Sequence, residues 1–186
     1  MANIIELNTE NKLEYHFFPV SSGSVQFKVK APNDAHIALT TGPQESDPMI
    51  EVFIGGWVNT KSVIRRNRTK PDKVEIYQPG IMNADEFRGF WIHWSRGIIS
   101  AGREGVTIPF ISWADSSPFP INFVGVCTGW GATGSWEIEG RVIYSDYRSF
   151  HNCHVSPTPA RTEVDPMYEI ILSGWENTKL VIRHCR

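Results

Sequence analysis

An antiparallel β-sandwich of jelly-roll type is the fold class this sequence predicts, and three observations predict it. Apolar and polar residues alternate with a period of two over short runs, the signature of strands with one buried face. Glycine or proline turns return every 8–12 residues, the spacing of hairpin-linked strands. Aromatic residues make up 12% of the chain, enough to fill the space between two facing sheets. Almost nothing carries the periodicity of an amphipathic helix.

The elements follow in order. Val25, Phe27 and Val29 alternate with Gln26, Lys28 and Lys30 as a half-buried strand. Pro32-Asn33-Asp34 supplies a turn, and Ala35 to Thr40 continue with His36 and Ala38 on one face, Ile37 and Leu39 on the other. Met49 to Ile54 form an apolar strand stopped by Gly55-Gly56. Ser62 to Arg66, Val74 to Tyr77, Phe87 to Trp94 and Ile98 to Ala101 are further short strands. Ser95-Arg96-Gly97 is a tight hairpin connection, because glycine takes the positive φ that such turns demand. Ile121 to Thr128 and Ser135 to Val142 close the series, and Trp91, Phe110, Phe123 and Trp136 are expected in the core. From Tyr144 to Pro159 the pattern loosens into a connector.

The chain also repeats itself. Residues 36–68 realign without a gap on residues 154–186, an offset of 118, with 16 of 33 pairs identical. Asp47-Pro48-Met49 returns as Asp165-Pro166-Met167, and Gly56-Trp57-x-Asn59-Thr60-Lys61 returns as Gly174-Trp175-x-Asn177-Thr178-Lys179. That period is far beyond the roughly 20–50 residues of solenoids and propellers, so the repeated unit is domain-sized. The expected layout is a complete module over 13–141, a connector over 142–153, and the start of a second copy over 154–186. Strands of that second copy would lack most of their partners. It is expected to pack on the first module, pair with another chain, or stay poorly ordered.

Composition narrows the function classes. A net charge of −2 gives no electrostatic reason to expect nucleic acid or an anionic membrane. No run approaches the roughly 20 apolar residues of a bilayer span. The basic stretch Arg65-Arg66-Asn67-Arg68-Thr69-Lys70 reads as a solvated strand end. Three cysteines are too few for a disulfide framework, and Cys127 in an apolar run is expected buried. With no basic, apolar leader at the N-terminus, the expected compartment is the cytoplasm.

Candidate chemistry is sparse. Gly129-Trp130-Gly131-Ala132-Thr133-Gly134 satisfies the G-x-G-x-x-G pattern, but a nucleotide loop needs a helix N-terminus to receive the phosphate or ribose. Ser135-Trp136-Glu137-Ile138-Glu139 reads as a strand instead, so the glycines suit a hairpin with Trp130 at its tip. His151-Asn152-Cys153-His154 lacks the second ligand pair of a zinc site, and no metal is expected. Catalytic residues are not identifiable. Trp94, Trp113 and Trp130 sit at or beside strand ends, where a rigid ring can stack on a sugar face or another apolar ligand. Arg103, Glu104 and Asp115 are the neighbouring polar groups that could orient such a ligand. The residues therefore point to a binding module for a small molecule or glycan, with no cofactor.

Several strings resemble the farnesoic acid O-methyltransferase family of arthropods. They are Asp34 to Thr40, Phe53-Ile54-Gly55-Gly56-Trp57, Phe87 to Ile92, Gly102-Arg103-Glu104-Gly105, and most closely Phe123 to Trp136. The resemblance covers roughly residues 13–140. It implies methyl transfer from S-adenosylmethionine to farnesoic acid, a step of juvenile-hormone chemistry, with Gly129, Gly131 and Gly134 as the alternative cofactor loop. A structural module that self-associates through the partial repeat is the third expectation.

Overall fold

The computed structural model describes residues 3–21 and 23–140. The expected connector, the second copy and the His151–His154 cluster lie outside the described residues. Twelve strands make up the module: β1 (Asn3–Thr9), β2 (Lys12–Pro19), β3 (Ser24–Lys30), β4 (Ala35–Thr40), β5 (Met49–Gly55), β6 (Lys61–Arg66), β7 (Thr69–Tyr77), β8 (Arg88–Ser95), β9 (Ile98–Arg103), β10 (Ile111–Ala114), β11 (Phe123–Thr128) and β12 (Gly134–Gly140). Eleven of them form two antiparallel sheets, in the orders β1-β12-β3-β8-β9-β10 and β11-β4-β5-β6-β7. β2 runs beside β11, with Leu13 against Gly129, Phe17 against Gly125, and the Val20 N–H donating to Asn122 O at 2.8 Å.

The alternation seen in the sequence decides which faces meet. Val25, Phe27, Val29, Phe90, Ile92, Ile99, Trp136 and Ile138 from the first sheet pack on Ile37, Leu39, Ile50, Val52, Ile54, Ile64, Val124 and Val126 from the second. Trp136 is 1% exposed and stacks at a tilt on Phe27, centroids 5.7 Å apart. Phe110 packs at the margin of this core. Two expected core aromatics face the other way. Phe90, Ile92 and Trp94 take the inward positions of β8, so Trp91 must point outward, where it lies over Gly102 and donates to Val106 O at 2.8 Å. On β11, Val124 and Val126 are the inward residues, which places Phe123 on the outer face.

Turns carry the conformations that their residues allow. Arg96 (φ 51°) and Gly97 (φ 80°) join β8 to β9, and Asn67 (φ 53°) and Arg68 (φ 57°) join β6 to β7. Two central residues with positive φ match the right-handed twist of hairpin strands. Between β5 and β6, Trp57, Val58 and Asn59 are all left-handed, with φ of 51°, 57° and 57°. Each costs about 1–2 kcal/mol in a non-glycine residue. Asn59 offsets this by bonding both the N–H and the C=O of Met82 at 3.0 Å, and Lys61 Nζ sits 4.2 Å over the Trp57 ring. Trp57 is thereby held in place by the loop that carries it.

Candidate functional site

At one end of the sandwich the sheets part to leave a cleft of about 380 Å³. Register assembles it. Trp94 pairs with Ile99, which pairs in turn with Trp113, so one row across β8, β9 and β10 presents two indoles on the inner face. Trp94 and Ile99 form one wall, Ile50 and Ile121 the opposite side, and Phe119 lies between Pro118 and Pro120. Trp113 packs on the same core without lining the cleft.

Asp115 supplies the polar end. Its side chain is 2% exposed and ion-paired with Arg66, which reaches across from β6 of the other sheet. Its Oδ1 also accepts from the Ser117 N–H at 3.0 Å, and its own N–H donates to Gly97 O at 2.8 Å. Arg66 in turn lies 5.6 Å from the Phe119 ring centroid. A carboxylate and a guanidinium are thus fixed beside an indole and a phenyl ring, an arrangement able to orient a ligand that has one apolar face and a few polar groups.

The other expected site residues are elsewhere. Arg103 and Glu104 lie at the far end of the β8–β9 hairpin, where the Glu104 N–H donates to Gly89 O and its carboxylate is 3.5 Å from Lys28 Nζ. Trp130, 75% exposed with φ 52°, caps the turn after β11, whereas the cleft opens near the strand's start. A six-residue strand separates them, about 20 Å. The Gly129–Gly134 segment leads from β11 directly into β12, and Gly131 N–H is held by Asn11 Oδ1 at 2.8 Å. The basic stretch after Val63 is charge-paired: Arg65 with Asp72 at 2.7 Å, Arg66 with Asp115, Arg68 with Glu45 and Asp47 at 3.4 Å.

Sequence reasoning missed a polar cluster on the outer face of the second sheet. His36 and Glu51 point away from the core on β4 and β5, yet they are only 3% and 6% exposed. The Tyr15 hydroxyl donates to Glu51 Oε1 at 3.0 Å, and the His36 ring meets Phe53 edge-on at 4.3 Å. Burial raises the Glu51 carboxyl above its ordinary value of 4.5, opposed by the Tyr15 hydrogen bond and by Arg65, His36 and Arg68. Cys127, beside His36, is buried, and desolvation pushes its thiol up to about 12. A carboxyl with a raised value contributes stability that is full at acid pH and lost as pH rises through that value. Stability in urea should therefore fall as pH rises above 4.5, and Glu51→Gln should lessen that fall. Equal slopes for both proteins would show that Glu51 ionises in the folded state as it does in the unfolded chain.

Comparisons with known proteins place the module. The model of a family described as farnesoic acid O-methyl transferase matches residues 11–142. No curated protein matches the chain. Among solved structures, a prokaryotic β-1,3-1,4-glucanase (lichenase) derived from a mouse hindgut metagenome is 17% identical, over 75% of this chain and 80% of its own, with a TM-score of 0.49. A galectin of Caenorhabditis elegans is 14% identical over 71% of this chain and 94% of its own, with a TM-score of 0.46. The exoplasmic/lumenal domain of VIP36 is 10% identical over 71% and 76%, with a TM-score of 0.45. At these identities the likeness is one of fold.

Proposed function

The chain belongs to the farnesoic acid O-methyltransferase family, and we propose that it is a non-catalytic β-sandwich binding module that takes a carbohydrate or other small ligand in the Trp94 cleft. The observation that carries this reading is the meeting of Trp94, Phe119 and Asp115, whose carboxylate is held by Arg66, around about 380 Å³. That volume lies at the small end of the roughly 300–1,000 Å³ of ligand pockets. The indole offers a flat face for the C–H side of a ring, and Asp115 offers an acceptor for its hydroxyls.

Methyl transfer, the chemistry in the family's description, is the alternative. Binding is favoured because the glycine loop runs from strand to strand and presents no helix dipole or free N–H row to S-adenosylmethionine. No cofactor is part of the proposal. A glycan array probed with the whole chain and with Trp94→Ala tests it. The expected result is a small set of bound glycans, each weakened at least about tenfold by Trp94→Ala, which corresponds to ~1.4 kcal/mol. A blank array, or binding that ignores Trp94→Ala, would count against the cleft. Trp130→Ala should bind as the parent does, because the strand's length separates it from the cleft.

A further inference from the structure

We propose, on the reading of the Trp94 cleft as the binding site, that its ligand is an acidic sugar, a ring bearing a carboxylate or sulfate, and that Arg96 selects it. Arg96 lines the cleft together with Trp94, Asp115 and Phe119. Among the described residues, no ion pair, side-chain hydrogen bond or ring contact engages the Arg96 side chain. Arg65, Arg66 and Arg68, by contrast, are each tied to a carboxylate. A free guanidinium therefore stands at the mouth of a cleft with room for a ligand.

The backbone fixes Arg96 in that position. It opens the two-residue turn between β8 and β9 with φ of 51°, and Gly97 follows at 80°. Gly97 is closed in by the segment after β10. Its O accepts from the Asp115 N–H at 2.8 Å, and a Cβ on it would lie 3.0 Å from Asp115 O and 3.3 Å from Pro118 Cβ. The hairpin tip is thus clamped against the stretch that carries Asp115, Pro118 and Phe119. An anchored backbone leaves only the Arg96 side chain to be ordered when a ligand arrives, which lowers the entropic cost of the contact.

Charge decides the ligand's class. Asp115 is the carboxylate of the cleft, and Arg66 already pairs with it. Apart from Ser95 and Arg96, the rest of the lining is glycine, proline, isoleucine and aromatic. Two guanidiniums against one carboxylate leave a local excess of positive charge, on a chain whose net charge is −2. A neutral sugar leaves Arg96 to water. A carboxylate or sulfate gives it charge-assisted hydrogen bonds in the fork geometry that a guanidinium favours. A cationic ligand would meet Arg96 while Asp115 is already engaged.

Calorimetric titration of the whole chain with glucuronic acid, galacturonic acid and glucose 6-sulfate, each against its neutral parent glucose or galactose, tests the assignment. Each pair differs only in the group at the sixth carbon. At least one charged sugar should bind about fivefold or more tighter than its parent, the size expected of a partly exposed pair. Whichever of carboxylate and sulfate binds tighter identifies the anion. Arg96→Gln should erase the preference and Arg96→Lys should keep part of it. Arg96 is exposed, so both variants should fold as the parent does. Raising salt from about 0.01 M to about 1 M, which shortens the Debye length from roughly 30 Å to 3 Å, should erase the preference in the parent protein too. Equal binding of charged and neutral sugars, or a preference that persists in Arg96→Gln, overturns the assignment and leaves the cleft reading standing. If no sugar of either kind binds, or if Trp94→Ala leaves binding untouched, the cleft reading falls and the role of Arg96 with it.

Discussion

Trp136→Ala is expected to remove about 3–5 kcal/mol of folding free energy, measured by urea unfolding of the whole chain. The indole is 1% exposed and sits on β12 between Leu7 of β1 and Val29 of β3. Its loss opens a cavity on the inner face of the first sheet, beside Phe27. Its Nε1 donates to Thr9 Oγ1 at 2.9 Å, and that oxygen is 2.7 Å from Thr128 Oγ1 of the facing sheet. The ring therefore ties β1 to both layers. Trp136→Phe should be milder, about 1–2 kcal/mol, because it keeps most of the volume and loses the donor. Against a typical total of about 5–15 kcal/mol, the alanine variant should be largely unfolded at modest denaturant. If alanine cost no more than phenylalanine, the packing account of this position would be wrong.

Asp115→Ala should carry the second largest effect, about 3 kcal/mol, together with loss of ligand binding. The carboxylate ion-pairs the end of β10 to Arg66 of β6, whose side chain is itself 19% exposed. Removing it leaves a largely buried guanidinium with only Ser117 O at 3.3 Å and the Phe119 ring beside it, and it strips the acceptor from the Ser117 N–H. Asp115→Asn keeps that turn acceptor and loses the charge, so its cost should fall between the parent and alanine. Glycan binding should drop with both variants. A ligand held equally well by all three proteins would move the polar end of the site away from Asp115.

Much of the architecture was legible because strand alternation is a local property. Val25, Phe27 and Val29 announced β3, and the Arg96-Gly97 turn announced the hairpin that carries Trp94. β1 and β2 were not legible, since each is half exposed and gains its order from a partner more than a hundred residues away, β12 or β11. Trp91 was misplaced because Phe90, Trp91 and Ile92 are three large apolar residues in succession, so either face could be read as the buried one. The alternation of Phe90, Ile92 and Trp94 was the signal that should have turned it outward.

The site was partly legible. Strand-end position singled out Trp94 and Asp115, and the β9 register brought them together. The same rule also picked Trp130, Arg103 and Glu104, because a strand has two ends and sequence does not say which ends share a side of the sandwich. The Glu51–His36 pair escaped notice for another reason. A polar residue alternating with apolar ones looks solvated unless something reveals that its face is covered. The identity of His36, Glu51 and Arg65 with their counterparts in the second copy was the available clue.

Calorimetric titration of the whole chain with S-adenosylmethionine is the most direct test of the central claim, that this family member binds a ligand without methyl-transfer chemistry. The account predicts no saturable heat at millimolar cofactor. A one-to-one isotherm that is weakened by replacing Gly131 with a bulky residue would contradict it and return the glycine loop to a catalytic role.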